Sequence, residues 1–177
     1  MAKPAVIVID LQLGMMSGEG LPPLHGHEAL LARTASVLDW ARAGDLPVIF
    51  IQHNGKPGDI LDPAKPGWVI HPAIAPLPGE PVLNKTVGDA FAETGLAERL
   101  KALGTDQVIL LGAATDQCIN ATFKGAEARG LAITVVGDTH STWPWNGETA
   151  EAIIARHNGL FRAAGATVVD TAGLVGG

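Results

Sequence analysis

The chain has 177 residues, of which 47% are apolar and 17% charged, and its formal net charge is −6. The high apolar content excludes intrinsic disorder, the single cysteine excludes a disulfide framework, and the acidic balance without a basic cluster disfavours nucleic acid as a partner. No apolar run approaches the roughly 18 residues of a membrane span, and none at the start has signal-peptide length. We therefore expect a cytoplasmic protein without a membrane partner, folded as a single domain over residues 1–177.

Short β-branched runs alternate with segments of helical period along the chain. The predicted strands are residues 5–9, 47–51, 81–85, 108–111, 133–136 and 167–169, and 81–85 is the weakest of them. The predicted helices are residues 27–43, 94–103, 116–129 and 147–164, and several end in glycine as helix C-caps do. Strands that are apolar on both faces and alternate with helices are typical of a parallel sheet covered on both sides. The pattern predicts a three-layer α/β/α doubly wound sheet of six mostly parallel strands, in the order 3-2-1-4-5-6.

Two segments, 54–80 and 139–147, interrupt this alternation. Loops of more than about 12–15 residues in a compact domain are usually functional or disordered. Trp68, Trp143 and Trp145 lie in these two segments, outside the predicted core. Because such large apolar side chains are unusual in a disordered loop, we favour a functional role for both segments.

Polar side chains stand at the ends of several predicted strands, where ligands of open parallel sheets bind. Asp10 ends the first strand, Lys85 ends the third, and Cys118 follows the fourth at the start of a helix. Free N–H groups and the helix dipole at that position favour a thiolate, so Cys118 is expected to have a low pKa. Each residue also has a purely structural explanation: Cys118 as a small buried side chain, Asp10 as an acid in a turn, and Lys85 as a solvated lysine. Together, however, the three indicate a nucleophile, a base and a cation.

Competing motifs are not found. The sequence has no Gly-x-Gly-x-x-Gly after the first strand, no Walker-type loop and no Gly-x-Ser-x-Gly elbow. The six histidines are spread over separate segments, whereas a metal site needs several ligands to converge. We therefore predict neither a metal nor another cofactor.

Several motifs follow one another along nearly the whole chain. They are Val8–Gln12, Gly79–Lys85 with the following Ala90, Phe91 and Thr94, Gly112–Cys118 and Val136–Asp138. In this order they resemble the motifs of the isochorismatase-like cysteine hydrolases, the superfamily that includes nicotinamidases and N-carbamoylsarcosine amidase.

The resemblance implies a catalytic triad of Asp10, Lys85 and Cys118. In such an enzyme Asp10 takes the thiol proton, Cys118 attacks an amide-type or ureido-type carbonyl, and a thioester intermediate is hydrolysed. The resemblance also implies a cis peptide bond between Ala113 and Ala114, with the N–H groups of Ala114 and Cys118 forming the oxyanion hole. The implied function is hydrolysis of a C–N bond in a small molecule.

The same resemblance suggests that Gln12, Trp68, Phe123 and Trp143 line the substrate pocket. The segment around His53 lacks the metal motif of nicotinamidases, which argues against a metal-dependent member. Relatives commonly assemble, so a homo-oligomer is expected. Two alternatives stay open: vinyl ether hydrolysis of the isochorismatase type, and a catalytically silent small-molecule binder on the same fold.

Overall fold

A computed structural model describes residues 3–176; residues 1, 2 and 177, at the ends of the predicted domain, lie outside the described residues. One sheet of six parallel strands runs through this part of the chain in the order β3-β2-β1-β4-β5-β6. The strands are β1 (Ala5–Ile9), β2 (Val48–His53), β3 (Val82–Lys85), β4 (Gln107–Ala113), β5 (Ala132–Ser141) and β6 (Thr167–Val169). The predicted sheet and strand order are confirmed.

Helices cover both faces of the sheet. They are α1 (His27–Ala43), α2 (Leu96–Ala102), α3 (Asn120–Glu127), α4 (Ala150–Ala163) and α5 (Thr171–Val175), with a π-helical turn at Thr115–Ile119. Alternate residues of β1 point to opposite faces: Val6 and Val8 pack in the cluster that includes α1, and Ile7 and Ile9 in the cluster that includes α2, α3 and α4. Burial on both faces explains the continuous apolar run of this strand.

Strand β5 extends well beyond the predicted 133–136. Its register with β4 shifts between Leu110 and Gly112, after which Gly112 pairs with His140. Gly112 has φ +131, and a side chain there would clash with the carbonyl of Ile9. The bulge lets the polar second half of β5 continue beside β4, and this brings His140 to the carboxyl edge of the sheet.

Among the described helices, none combines the length and the apolar character needed to cross a bilayer.

Candidate active site

The structure brings Asp10, Lys85 and Cys118 together at the carboxyl edge of the sheet. Lys85 Nζ lies 2.6 Å from Asp10 Oδ2 and 3.2 Å from Cys118 Sγ. Asp10 follows β1, Lys85 ends β3, and Cys118 lies in the π-helical turn after β4. Asp10 and Lys85 are buried, with 2% and 3% of their surfaces exposed. An ion pair this well buried, in contact with a thiol, is a suitable arrangement for nucleophilic catalysis.

His53 joins this group, although the sequence analysis gave it no role. Strand β2 lies between β1 and β3, and His53 is paired in register with Lys85. Lys85 Nζ lies 3.2 Å from His53 Nδ1 and donates a hydrogen bond of 3.0 Å to the carbonyl of Val87. The predicted strand order already placed the end of β2 beside Lys85, and this was the signal that could have identified His53.

Burial dominates the electrostatics of the group. It raises the pKa of Asp10, against the opposing effect of the Lys85 ammonium. Burial and the negative charge of Asp10 raise the pKa of Cys118 to about 12, and Lys85 offsets only part of this rise. Burial and the charge of Lys85 also lower the pKa of His53. The expectation of a low thiol pKa is therefore wrong: the resting thiol is protonated and has a carboxylate beside it.

A cavity of about 940 Å³ opens above this group, and Asp10, His53 and Cys118 form part of its wall. The two interrupting segments supply much of the remaining wall, including Leu61 and Trp143. Ala114 also lines the cavity, and the peptide bond between Ala113 and Ala114 is cis.

Comparisons with known proteins agree with this geometry. Residues 4–173 match the model of the isochorismatase domain. The chain belongs to the isochorismatase family. Streptothricin hydrolase from Streptomyces noursei is 34% identical over 140 residues, which are 78% of this chain and 54% of that protein. Maleamate amidohydrolase from Pseudomonas putida is 30% identical over 158 residues, covering 78% of this chain and 74% of that protein. The crystal structure of an isochorismatase from Pseudomonas putida KT2440 superimposes with a TM-score of 0.91 and 29% identity, covering 97% of this chain and 90% of that one.

The chain spans about half the length of the streptothricin hydrolases that it matches. The relatives of this isochorismatase-family protein include amidohydrolases, and the resemblance inferred from its motifs is confirmed.

Two residues expected to line the pocket of this family member instead support its loops. Gln12 is fully buried; its Oε1 accepts a hydrogen bond from the backbone N–H of His53, and its Nε2 donates to the carbonyls of His53 and Trp68. The Trp68 indole donates to Asn54 Oδ1 at 2.8 Å. Neither side chain is part of the cavity wall. Because Gln12 satisfies backbone groups on both sides of the loop after β2, it positions His53.

Phe123 is likewise not part of the cavity wall. It is 4% exposed and packs against Phe161 of α4 with ring centroids 4.6 Å apart. This contact places it in the core cluster beneath the sheet, because its helical position faces α4. Trp143, the fourth expected residue, does line the cavity, and its indole donates a hydrogen bond to the carbonyl of Pro22.

A buried chain of hydrogen bonds runs behind the wall and was not predicted. Asn158 Nδ2 donates to the carbonyl of Gly137, so its Oδ1 is left to accept from His140 Nε2 at 3.0 Å. His140 Nδ1 is then the acceptor for the Thr115 hydroxyl at 2.9 Å. Burial lowers the pKa of His140 to about 4, which keeps the ring neutral. These hydrogen bonds fix Thr115, the first residue of the turn that carries Cys118.

The same site offers three atoms of metal-ligand type. A carboxylate oxygen of Asp10, a ring nitrogen of His53 and Cys118 Sγ lie within 4.8 Å of one another. Lys85 Nζ contacts all three residues at 2.6–3.2 Å. The positive charge between Asp10, His53 and Cys118 is therefore the ammonium group of Lys85.

Proposed function

We propose that this hydrolase cleaves a C–N bond of a small amide or ureido compound, with Cys118 as the nucleophile. The observation that carries the proposal is the contact of Lys85 Nζ with both Asp10 Oδ2 and Cys118 Sγ at the wall of the cavity. The names of maleamate amidohydrolase and nicotinamidase among the relatives support amide chemistry.

The first half of the reaction forms a thioester. Asp10 takes the thiol proton as Cys118 Sγ attacks the carbonyl carbon, so that free thiolate, which the raised pKa disfavours, need not accumulate. The N–H groups of Ala114 and Cys118 are proposed to bind the oxyanion. Asp10 then returns the proton to the leaving nitrogen, the C–N bond breaks, and ammonia or an amine departs.

The second half regenerates the enzyme. Asp10 takes a proton from water, the resulting hydroxide attacks the thioester carbonyl, and the C–S bond breaks. The acid product leaves, and Asp10 returns its proton to the sulfur. Lys85 holds Asp10 in place and stabilises negative charge on the sulfur, and its Nζ lies 3.2 Å from His53 Nδ1.

The test is ammonia release from a panel of small aromatic amides, nicotinamide and ureido acids, with isochorismate tested in parallel. We expect turnover of at least one amide and a loss of about 10³-fold or more in the Cys118→Ala variant. Because the sequence contains a single cysteine, mass spectrometry of the intact protein assigns any acyl adduct to Cys118. Turnover of isochorismate without ammonia release from any amide would overturn the proposal, and so would full activity of Cys118→Ala.

A further inference from the structure

The charged side chains of the cavity wall are of one sign. Asp10, Asp59 and Asp116 line the cavity, whereas no lysine or arginine does so among the described residues. Asp10 is neutralised by its ion pair with Lys85. Three carboxylates and one paired ammonium leave a formal charge of −2 around the space that a substrate would fill.

The carboxylate of Asp116 is held in place and retains hydrogen-bonding capacity. Its Oδ1 accepts a bond of 2.6 Å from the hydroxyl of Thr142, a buried residue that also lines the cavity. In the described part of the chain, no hydrogen bond reaches the second oxygen of this carboxylate. A fixed, partly unpaired carboxylate in a half-buried wall favours a ligand that carries a donor and a positive charge.

A second observation also points to a donor on the ligand. Asp10 Oδ1 is buried and has no hydrogen-bond partner among residues 3–176, although Asp10 lines the cavity. In the free protein the Cys118 thiol is the donor beside this carboxylate, so the N–H group of a bound amide takes that place only once Cys118 has given up its proton. An amide nitrogen placed for attack by Cys118 supplies such an N–H group.

Aromatic groups complete the wall. Trp145 lines the cavity yet is 73% exposed, and its backbone is fixed by paired hydrogen bonds with Glu148. The face of an indole ring attracts ammonium and guanidinium groups. Two basic side chains lie on adjacent segments: Arg156 pairs with Glu148 and its charge also interacts with that of Asp116, and Lys65 donates to the carbonyl of Gly58.

From these observations we infer that the cavity selects amides whose other end carries a positive charge, an ammonium or guanidinium group held by Asp116, Asp59 and the Trp145 ring. The inference rests on the proposed function, because the uncharged amide end is placed at Cys118. It adds a substrate class and the residues that determine it.

The test compares three benzamides that differ mainly in the para substituent: aminomethyl (cationic), hydroxymethyl (neutral) and carboxyl (anionic). Affinities are measured by NMR titration of the tryptophan indole signals in Cys118→Ala, and kcat/KM is measured with the unmodified enzyme. We expect the cationic amide to bind about tenfold or more tightly than the neutral one, the anionic amide to bind most weakly, and the preference to shrink as salt screens the charges.

Two variants test which carboxylate causes the preference for the cationic amide. Asp116→Asn should reduce the ratio of cationic to neutral affinity by about tenfold, since asparagine keeps the acceptor for Thr142 but loses the charge. Asp39→Asn removes the same charge from an exposed position of α1 and should leave the ratio unchanged. Equal binding of the three amides, preference for the anionic one, or no binding of any overturns the inference. Binding without ammonia release from any amide instead overturns the proposed reaction.

Discussion

The ion pair between Asp10 and Lys85 should behave as a unit in stability measurements. The charged atoms are 2.6 Å apart, and the side chains are 2% and 0% exposed. At an effective dielectric constant of about 20, their attraction is about 6 kcal/mol. Moving two such charges out of water costs several kcal/mol each, so the pair as a whole contributes little net stability.

Removing one partner has a larger effect than removing both. Asp10→Asn leaves a buried ammonium and Lys85→Met leaves a buried carboxylate, so each should lower the free energy of unfolding by about 3–5 kcal/mol. Asparagine is suitable at position 10, where φ is +53, because it tolerates left-handed backbone. In the double variant neither charge remains, and the loss should be at least about 3 kcal/mol smaller than the sum of the single losses.

Urea unfolding followed by the fluorescence of the four tryptophans measures these values. The pH dependence supplies an internal check. Without Lys85, the group that most lowers the pKa of Asp10 is gone, so this pKa rises further above its ordinary value of 3.8. A raised folded-state pKa stabilises the protein below the unfolded pKa, and that stability is lost as pH rises through the folded pKa. Lys85→Met should thus lose stability more steeply than the unmodified protein as pH rises above the ordinary Asp pKa of 3.8. Losses that add within about 0.5 kcal/mol would refute the reasoning.

Three further predictions concern separate features. Alkylation of Cys118 by iodoacetamide should accelerate steadily from about pH 7 to about pH 10, because its pKa is about 12; a plateau below pH 8 would contradict this. Gly112→Ala should lower the free energy of unfolding by more than about 3 kcal/mol, since the new Cβ clashes with β1. Gly159→Ala, in the open middle of α4, should raise it by about 0.5–1 kcal/mol. Equal effects in urea unfolding would contradict the packing argument. Asn158→Leu should cost about 1–3 kcal/mol in urea unfolding and lower kcat, because it leaves the buried N–H of His140 without an acceptor; an unchanged free energy of unfolding would refute this.

The sequence was sufficient to predict the sheet and the meeting of Asp10, Lys85 and Cys118 at its carboxyl edge. Parallel strands end at one edge, so Asp10 and Lys85 had to approach each other once β1 and β3 were placed on either side of β2. The pKa of Cys118 was predicted wrongly for a definable reason. The burial of most of the thiol and the carboxylate of Asp10 beside it outweigh the effect of the first-turn position on this pKa.

The wall residues were harder to predict because their orientation depends on tertiary contacts. Gln12 is fully buried because the loop after β2 needs its amide to pair backbone groups, which no local pattern indicates. Phe123 lies on an amphipathic helix, and period alone does not distinguish its core face from the face toward the cavity. His140 was assigned to a loop because the bulge beside Gly112, which extends β5, has no signal in the hydrophobic pattern.

The residues proposed for the reaction and those proposed for substrate selectivity are held by different parts of the fold. Asp10 and Lys85 are positioned by backbone pairing inside a sheet, so their geometry changes only if the sheet does. Asp59 and Trp145 lie exposed on irregular segments, and positions of this kind tolerate substitution well. Members of one family can therefore share the ion pair and thiol while their loops present different charges to the substrate. The proposed selectivity for cationic amides therefore rests on the acidic and aromatic wall of this chain, and the family alone does not specify it.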